Sequence, residues 1–260
     1  MTSPATPPTL ITGASSGLGA EMARQLAAHG RDLALCARRH DRLWALRDEI
    51  LAAHPERRVV VRELDVDDAE AVFATFRDIR SELGTIGCVV VNAGLGKGAK
   101  LGSDGLAGFE ANRATLTTNL IGGLAQVEAA MEVFRDQGEG HLVVVSSVAA
   151  LRGMPKAMTA YAASKAGLAH LAEGLRVELY GTPLQKKVPI TVLYPGYIES
   201  EMNERVEQST PLLATTERGV RSMVAAIEKR VDSAAVPGFP WLPLSKVVRH
   251  APLPVVKRLV

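Results

Sequence analysis

The stretch that decides the fold is Thr9-Leu-Ile-Thr-Gly-Ala-Ser-Ser-Gly-Leu-Gly19, near the start of the 260-residue chain. Its first four residues are apolar or β-branched and predict a short buried strand. Three glycines follow in the spacing Gly-x-x-x-Gly-x-Gly, and apolar residues then recur at helical spacing until Gly30, a natural helix end. A strand that passes through a glycine-rich turn into an amphipathic helix indicates the first unit of an α/β sheet.

The rest of the chain repeats this alternation of strand and helix. Helices are predicted after Asp41, after Asp67 or Asp68, over Phe109 to Phe134 with an interruption near Gly122-Gly123, over Ala160 to Leu179, and over Glu217 to Arg230. The predicted strands are continuously apolar: Thr9 to Thr12, Leu33 to Ala37, Val59 to Leu64, Cys88 to Val91, His141 to Val145 and Ile190 to Leu193. This pattern is typical of a Rossmann-type α/β fold, a doubly wound parallel sheet with helices on both faces.

We predict one domain with two short additions. Residues 1–8 form a flexible tail, residues 9–236 form the catalytic domain, and residues 237–260 form an apolar and basic extension. The composition fits, because 47% of the residues are hydrophobic and 22% are charged.

Charge and cysteine content exclude several classes of protein. The formal net charge is only +2 and no basic run covers a helix face, so no nucleic acid partner is expected. Cys36 and Cys88 lie in apolar runs and are predicted to be buried, reduced thiols. No metal site is predicted.

The N-terminal segment has no basic region followed by an apolar one, so it is not a signal peptide. No apolar stretch reaches the roughly 18 residues that a membrane span needs. The predicted location is the cytoplasm.

The glycine-rich turn is suited to a dinucleotide phosphate. Gly13 allows the tight turn, and Gly17 and Gly19 let backbone and helix approach the phosphate, toward which the helix N-terminus points. A glycine-rich loop by itself is often a plain turn, but its place between first strand and first helix favours nucleotide binding. The predicted contacts in the turn are Gly13, Ser15, Ser16, Gly17, Leu18 and Gly19.

The residues after the second and third strands indicate which dinucleotide binds. An acidic residue after strand two would bind the ribose 2′-hydroxyl of NAD, whereas Ala37 is followed by Arg38 and Arg39. Arg38 is predicted to contact the 2′-phosphate of NADP(H). Arg39 fits a solvated loop arginine better, although either could share the phosphate. Asp65, followed by Val66, is predicted to accept from the adenine amino group; helix capping is the alternative.

Tyr161 and Lys165 are four residues apart in a predicted helix and so share one face. An ammonium beside a phenol lowers the phenol's pKa from about 10 and makes it a usable acid or base near neutral pH. The same spacing also occurs by chance, with the tyrosine half buried and the lysine solvated.

These features together resemble a known family. Thr12-Gly-x-x-x-Gly-x-Gly19, Asn92-Ala-Gly94, Asn119, Ser147 and Tyr161-x-x-x-Lys165 are similar in order and spacing to the short-chain dehydrogenase/reductase family, in its single-domain branch of about this length. The resemblance covers roughly Thr9 to Ser200.

The resemblance implies a role for each matching residue. Tyr161 would exchange a proton with the substrate oxygen, and Lys165 would lower the tyrosine pKa and hold the nicotinamide ribose. Ser147 would stabilise the substrate oxygen, with Ser146 as the alternative, and Asn119 would anchor a water at a helix irregularity. Cofactor contacts are implied for Asn92, Ala93, Gly94, Pro195, Gly196, Ile198 and Ser200.

Two departures from the family pattern stand out. Ser147 and Tyr161 are fourteen positions apart, one more than expected, and we place the extra residue around Gly153 to Lys156. Ser200 stands where a threonine is common.

Other parts of the chain are candidates for the substrate side. Glu199, Glu201 and Met202 fall where the family carries a mobile lid. An apolar pocket is predicted from Met154, Met158, Tyr194 and Tyr197, although core packing explains the two methionines about as well. The extension after Pro237 packs over the pocket, joins a subunit interface or lies on an anionic membrane surface. Packing on the domain or on a sister subunit is the favoured alternative.

The sequence thus predicts an NADP(H)-dependent oxidoreductase that interconverts a ketone or aldehyde and an alcohol. Two rivals are a membrane-peripheral reductase of a lipid-like substrate and a non-catalytic NADP(H) sensor. The resemblance also implies a homodimer or homotetramer that pairs through two long helices, with Ala162, Ala166 and Ala169 permitting close approach.

Overall fold

The computed structural model describes residues 7–199, 201 and 213–259. Within them the backbone forms one parallel sheet of seven strands in the order β3-β2-β1-β4-β5-β6-β7. The strands are β1 Thr9–Thr12, β2 Leu33–Ala37, β3 Val59–Glu63, β4 Cys88–Val91, β5 Leu142–Val145, β6 Ile190–Pro195 and β7 Ser233–Val236. The predicted doubly wound α/β fold is confirmed.

Helices cover both faces of this sheet. They are α1 Gly17–Ala28, α2 His40–Ala53, α3 Ala69–Leu83, α4 Gly105–Leu116, α5 Gly122–Gln137, α6 Thr159–Leu179, α7 Thr216–Glu228, α8 Gly238–His250 and α9 Leu253–Leu259. A π-helical turn, Thr117–Ile121, joins α4 to α5, and short 3-10 turns lie at Val148–Leu151 and Lys156–Met158.

Two apolar layers sandwich the sheet. Consecutive strand residues point to opposite faces, so Leu10 packs with α3, α5 and α6 while Ile11 packs with α1, α2 and α7. Phe76 and Phe134 fill the first layer, and both are fully buried. Because strands covered on both faces need no polar side, they read as the continuous apolar runs seen in the sequence.

The predicted buried thiols are confirmed. Cys36 on β2 and Cys88 on β4 are free and buried. Burial raises the pKa of each thiol to about 12.

The structure corrects several element boundaries. The sequence missed β7, whose four small residues form a half-exposed edge strand with no apolar run to reveal it. Strand β3 ends at Glu63 rather than Leu64, and β5 begins at Leu142 rather than His141. Helix α7 begins at Thr216, because the Thr215 side chain caps it by accepting from the Arg218 amide.

The long helical stretch also differs from the prediction. Its first helix begins at Gly105, and the irregularity is the π-turn, which lies just before the glycine pair Gly122-Gly123. Gly122 and Gly123 instead allow close packing, because a Cβ on either would press on Val66 or Leu168.

Strand order reverses between β1 and β4, which opens a crevice at their carboxyl ends. The loops that follow β1 to β6 meet there. No described helix is both long and apolar enough to cross a membrane.

Candidate active site

A cavity of about 910 Å³ lies at the carboxyl ends of the strands, a volume near the upper end for ligand pockets. The structure brings nearly all the predicted site residues to its wall. Those lining it are Gly13, Ser15, Ser16, Gly17, Leu18, Gly19, Arg38, Arg39, Asp65, Val66, Asn92, Ala93, Gly94, Ser147, Tyr161, Lys165, Pro195, Gly196 and Ile198. Asn119 lies behind the wall, and Ser200 and Met202 are outside the described residues.

The glycine-rich turn is held against the end of β4. Thr12 Oγ1 accepts from the amides of Asn92 and Ala93, at 3.0 and 3.1 Å, and the Asn92 side chain donates to Thr12 O at 2.9 Å. Gly13 has a φ of 63°, which favours glycine. A Cβ on Gly19 would overlap the Gly13 carbonyl and lie 2.7 Å from Asn92 Nδ2. The turn therefore stays open because these positions lack side chains.

Ser147, and not Ser146, faces the cavity. The Ser147 side chain acts to lower the pKa of the Tyr161 phenol, and its hydroxyl accepts from the Ala149 amide at 3.1 Å. Ser146 is buried and donates to Lys165 O at 2.8 Å, so its hydroxyl is committed to the backbone of α6. Ser147 and Tyr161 reach the same cavity although they are fourteen positions apart in the sequence. In the loop between them, Lys156 has a φ of 59°, in the left-handed region.

Lys165 is buried at the centre of the site. Its Nζ donates to Val145 O at 2.9 Å, and a Cβ built on Gly94 would lie 3.3 Å from the same Nζ. Burial lowers the pKa of this ammonium to about 8, so the lysine titrates close to physiological pH.

The predicted effect of Lys165 on Tyr161 is not found in this structure. Burial raises the pKa of the Tyr161 phenol, and only the hydrogen bond from Ser147 opposes that rise. Lys165 does not oppose the rise, because its Nζ donates to Val145 O instead of to the phenol. Tyr161 is therefore a protonated phenol at neutral pH.

Asn119 holds the loop after β4. It sits in the π-turn, fully buried, where its Oδ1 accepts from the Leu95 amide at 2.6 Å and its Nδ2 donates to Leu95 O at 2.9 Å. Nδ2 also donates to Ser164 Oγ at 3.0 Å, and Ser164 in turn donates to Tyr161 O at 2.7 Å. Asn119 thus ties Gly94-Leu95 to the helix of Tyr161. Sequence reasoning missed Ser164, although it lies inside the Tyr-x-x-x-Lys motif.

Arg39, rather than Arg38, contacts the glycine-rich turn. Its guanidinium donates to Ser15 Oγ at 3.1 Å and to Ser16 Oγ, and it pairs with Glu201 at 2.8 Å. The Arg39 side chain is 43% exposed, so it is solvated, as predicted, and bonded to the turn as well. Glu201 also pairs with Arg42, and these two arginines lower the pKa of its carboxyl to about 2.

Arg38 and Asp65 form a looser pair beside this cluster. Their charged atoms are 3.8 Å apart and both side chains are well exposed. Asp65 also accepts from the Asp67 amide at 3.2 Å, whereas Asp68 caps α3, so helix capping does not explain Asp65. Arg42, on α2, is a cation that sequence reasoning missed.

The opposite side of the cavity is lined by the loop after β5 and by α8. Met154, Met158 and Tyr197 line it as predicted, but Tyr194 packs against the α3–α5–α6 core instead, so that prediction is wrong. The extension packs on the domain, where Trp241, Leu244, Ser245 and Val248 complete the wall. Their spacing of three, four and seven residues is a helical stripe that the sequence already contained.

Comparison with known proteins agrees with this arrangement. Residues 8–211 match the family model described as short chain dehydrogenase. The chain belongs to the short-chain dehydrogenase family. It is an oxidoreductase with a Rossmann-type nucleotide-binding fold, as members of this family are.

The proteins similar to this chain include one that matches nearly its whole length. An uncharacterized oxidoreductase of Mycobacterium tuberculosis is 50% identical over 249 residues, covering 96% of this chain and 95% of the relative. An 11-beta-hydroxysteroid dehydrogenase 1A of Arabidopsis thaliana is 36% identical over 195 residues, covering 75% of this chain and 53% of the relative.

A solved structure supports the nature of the cofactor. The alcohol dehydrogenase of Thermococcus sibiricus, complexed with 5-hydroxy-NADP, aligns with a TM-score of 0.75 and 26% identity, covering 88% of this chain and 95% of that one. A nicotinamide dinucleotide fits the site described here, because the open turn at Gly13 and Gly19 admits a phosphate and the cavity continues from it to Tyr161.

Proposed function

We propose that this short-chain dehydrogenase interconverts a ketone or aldehyde and the corresponding alcohol, with NADP(H) as cofactor and Tyr161 as proton donor and acceptor. The observation that carries the proposal is that Tyr161 and Ser147 line the same cavity, where the Ser147 side chain partly offsets the rise that burial causes in the pKa of the Tyr161 phenol. Two hydroxyls on one cavity wall suit a substrate oxygen that gains a proton as its carbon is reduced.

The protonation state of Tyr161 suits the reduction of a carbonyl group. The pKa of Tyr161 is raised by burial, so the phenol carries the proton that the carbonyl oxygen needs. Ser147 donates a hydrogen bond to the same oxygen and stabilises the negative charge that develops on it. When bound, the dinucleotide supplies hydride to the carbonyl carbon in reduction and takes it up in oxidation.

Lys165 and Asn119 hold the centre of the site. The Lys165 ammonium, beside Gly94, is placed to donate to hydroxyls of a bound ribose. Asn119 positions both the Gly94-Leu95 backbone and, through Ser164, the helix that carries Tyr161 and Lys165. Asn119 acts through these partners and is a positioning residue.

The preference for NADP(H) rests on charge after β2. Ala37, Arg38 and Arg39 supply no carboxylate to bind a 2′-hydroxyl, and Arg42 adds a third arginine nearby. Arg39 is the primary phosphate contact in this proposal, because it already bridges to Ser15 and Ser16. Arg38, which the sequence favoured as the phosphate contact, is a second contact in this proposal, and Ser200 stays a predicted carboxamide contact outside the described residues.

The test is Tyr161→Phe, assayed by NADPH oxidation with a panel of ketones and aldehydes. The variant should lose at least about a hundredfold in kcat while its dissociation constant for NADPH stays within about twofold. Full activity in this variant would exclude Tyr161 as the proton donor. Arg39→Ala should weaken 2′,5′-ADP binding and leave 5′-AMP binding unchanged.

Association into a homodimer or homotetramer is part of the proposal. Exposed apolar side chains lie along α4, the π-turn and α6, including Phe109, Ile121 and Val177. Of the three alanines predicted to permit close approach of two subunits, Ala162 and Ala169 are buried inside the domain. The prediction is therefore wrong for these two. Light scattering of Ile121→Glu against the parent chain tests this interface, and a smaller assembly is expected for the variant.

A further inference from the structure

The cavity wall on the β5–β7 side has no charged side chain among the described lining residues. Its members are Val148, Ala149, Met154, Met158, Tyr197, Trp241, Leu244, Ser245 and Val248. They come from the loop after β5, the segment after β6, and one face of α8.

The charged lining residues lie elsewhere. Arg38, Arg39 and Asp65 follow β2 and β3, on the far side of the sheet. Glu201 is bonded to Arg39, and Lys165 lies at the centre beside Gly94. The cavity is therefore divided into a charged half, which suits the adenosine phosphate, and an apolar half.

Trp241 fixes α8 onto the apolar half. Its side chain is only 5% exposed, and a Cβ on Gly196 would overlap the indole. The ring also meets Tyr197 edge-on, with centroids 5.4 Å apart. Leu244 and Val248 follow on the same face of the helix, one and two turns later.

The stability of the fold does not explain the choice of tryptophan here. The buried Trp241 Nε1 has no hydrogen-bond partner within the described structure. A buried N–H without an acceptor is costly, and phenylalanine would fill similar space without that cost. A local cost of this kind is typical of a functional site, and here Trp241 contributes the apolar face of its indole to the cavity wall.

We propose, on the basis of the proposed function, that Trp241 and Leu244 determine substrate specificity and select an uncharged, mainly apolar ketone or its secondary alcohol. Such a chain would be desolvated against Met154, Trp241, Leu244 and Val248. A carboxylate there would lose its water without gaining a cation, so acidic substrates are rejected.

The first test compares methyl ketones with NADPH. We expect kcat/KM to rise at least about tenfold from 2-butanone to 2-decanone, and to fall at least about tenfold from 2-decanone to 9-oxodecanoate, which adds a terminal carboxylate. Leu244→Ala should lower kcat/KM for 2-decanone about tenfold and leave 2-butanone within about twofold.

The matched control is Leu242→Ala, because Leu242 is on the same helix but is 54% exposed and does not line the cavity. Leu242→Ala should leave kcat/KM unchanged for both 2-butanone and 2-decanone. Equal loss in the Leu242 and Leu244 variants, or equal turnover of 2-decanone and 9-oxodecanoate, would overturn the proposal.

A second test does not depend on turnover. The chain has two tryptophans, so Trp44→Phe leaves Trp241 as the only indole, and Trp44 lies on α2, outside the cavity lining. We expect 2-decanone, and not 9-oxodecanoate, to change Trp241 emission in a saturable way in the presence of NADP⁺. An emission insensitive to 2-decanone would overturn the proposal.

The two proposals fail separately. If 2-decanone shifts Trp241 emission while no ketone is reduced, the apolar wall stands and the proposed reaction is wrong. If ketones are reduced without any preference for apolar chains, the proposed reaction stands, and the proposal that the apolar wall selects the substrate is wrong.

Discussion

Arg39 and Glu201 form a 2.8 Å ion pair although 162 positions separate them in the sequence. Glu201 accepts from Arg42 as well, so one carboxylate is shared by two guanidinium groups. Arg39 at the same time donates to Ser15 and Ser16 of the glycine-rich turn. Whatever anion binds at this turn therefore meets arginines that already have a partner.

Glu201→Gln is expected to tighten NADP(H) binding. The Glu201 carboxyl, with a pKa of about 2, is ionised at every working pH. It therefore competes with a 2′-phosphate for binding to Arg39 and Arg42. Because these side chains are nearly half exposed, solvent screens the effect, and we expect about a three- to tenfold lower dissociation constant for NADPH. Calorimetry with 2′,5′-ADP measures it.

NADH and 5′-AMP should bind Glu201→Gln as they bind the parent chain. Glu199→Gln, two residues earlier and outside the cavity lining, is the control and should leave both cofactors unchanged. Weaker NADPH binding in Glu201→Gln would contradict the expectation, since it would mean that Glu201 positions the arginines rather than competing for them.

Ser147→Ala and Ser146→Ala should differ sharply. Removing the Ser147 hydroxyl takes away a donor to the substrate oxygen, and kcat should fall about 10²- to 10³-fold with NADPH affinity retained. Ser146→Ala should keep most of its activity and lose about 1 kcal/mol of stability, because only its bond to Lys165 O is lost. Steady-state kinetics and urea denaturation of both variants separate the two roles, and equal kinetic losses would count against the assignment of Ser147.

Gly19→Ala should weaken dinucleotide binding. The added methyl would overlap Gly13 O and press on Asn92, which ties the turn to β4, so affinity should drop by at least about tenfold. Gly174→Ala is the matched control, because Gly174 is exposed in α6 with no atom within 4 Å of a new Cβ. That variant should bind normally and gain about 0.5–1 kcal/mol of stability. Tight NADPH binding by Gly19→Ala, measured by fluorescence titration, would show that the glycine-rich turn does not hold the dinucleotide.

His141 should make the fold sensitive to acid. Its Nε2 is 2.9 Å from the Thr191 hydroxyl, which itself donates to Val231 O, so Nε2–H is the donor to the Thr191 oxygen. Burial, followed by the charges of Arg230 and Arg31, lowers the pKa of His141 to about 3. As the pH falls below about 6.5 the unfolded chain gains a proton that the folded chain does not, so the free energy of unfolding falls.

Between pH 7.5 and pH 5 this histidine should account for about 2 kcal/mol of lost stability. Urea denaturation at the two pH values measures the loss, which should be smaller by that amount in His141→Gln. His29→Gln changes an exposed histidine and should retain the full loss. An identical pH dependence in His141→Gln and the parent chain would show that His141 is not the acid-sensitive group.

Much of the fold was predictable because its signals are local. Apolar runs of four to six residues, helical periodicity and glycines at fixed spacing depend only on neighbouring residues, and they predicted β1 to β6 and the parallel sheet. Strand β7 was not predicted, because its four small residues take their extended conformation from pairing with β6 and no local sequence pattern encodes that pairing.

The site divides in the same way. The glycine-rich turn and the pair Tyr161 and Lys165 were found from spacing, and the structure brings them to one cavity. The sequence favoured Ser147 and left Ser146 as the alternative. In the structure Ser147 lines the cavity, whereas Ser146 is buried and donates to Lys165 O. The effect of Lys165 on Tyr161 was mispredicted, because sharing a helix face does not reveal that the ammonium is bonded to Val145 instead.

The sequence by itself determined the strands, the glycine-rich turn and the spacing of Tyr161 and Lys165, because each depends on residues a few positions apart. Only the tertiary structure decided that Arg39 meets Glu201 and that Trp241 covers Gly196. Both pairs join segments far apart in the chain, and their geometry follows from how helices and loops pack around the whole sheet. Charge and apolar surface at the cavity are therefore set by packing, although every residue that supplies them can be read in the sequence.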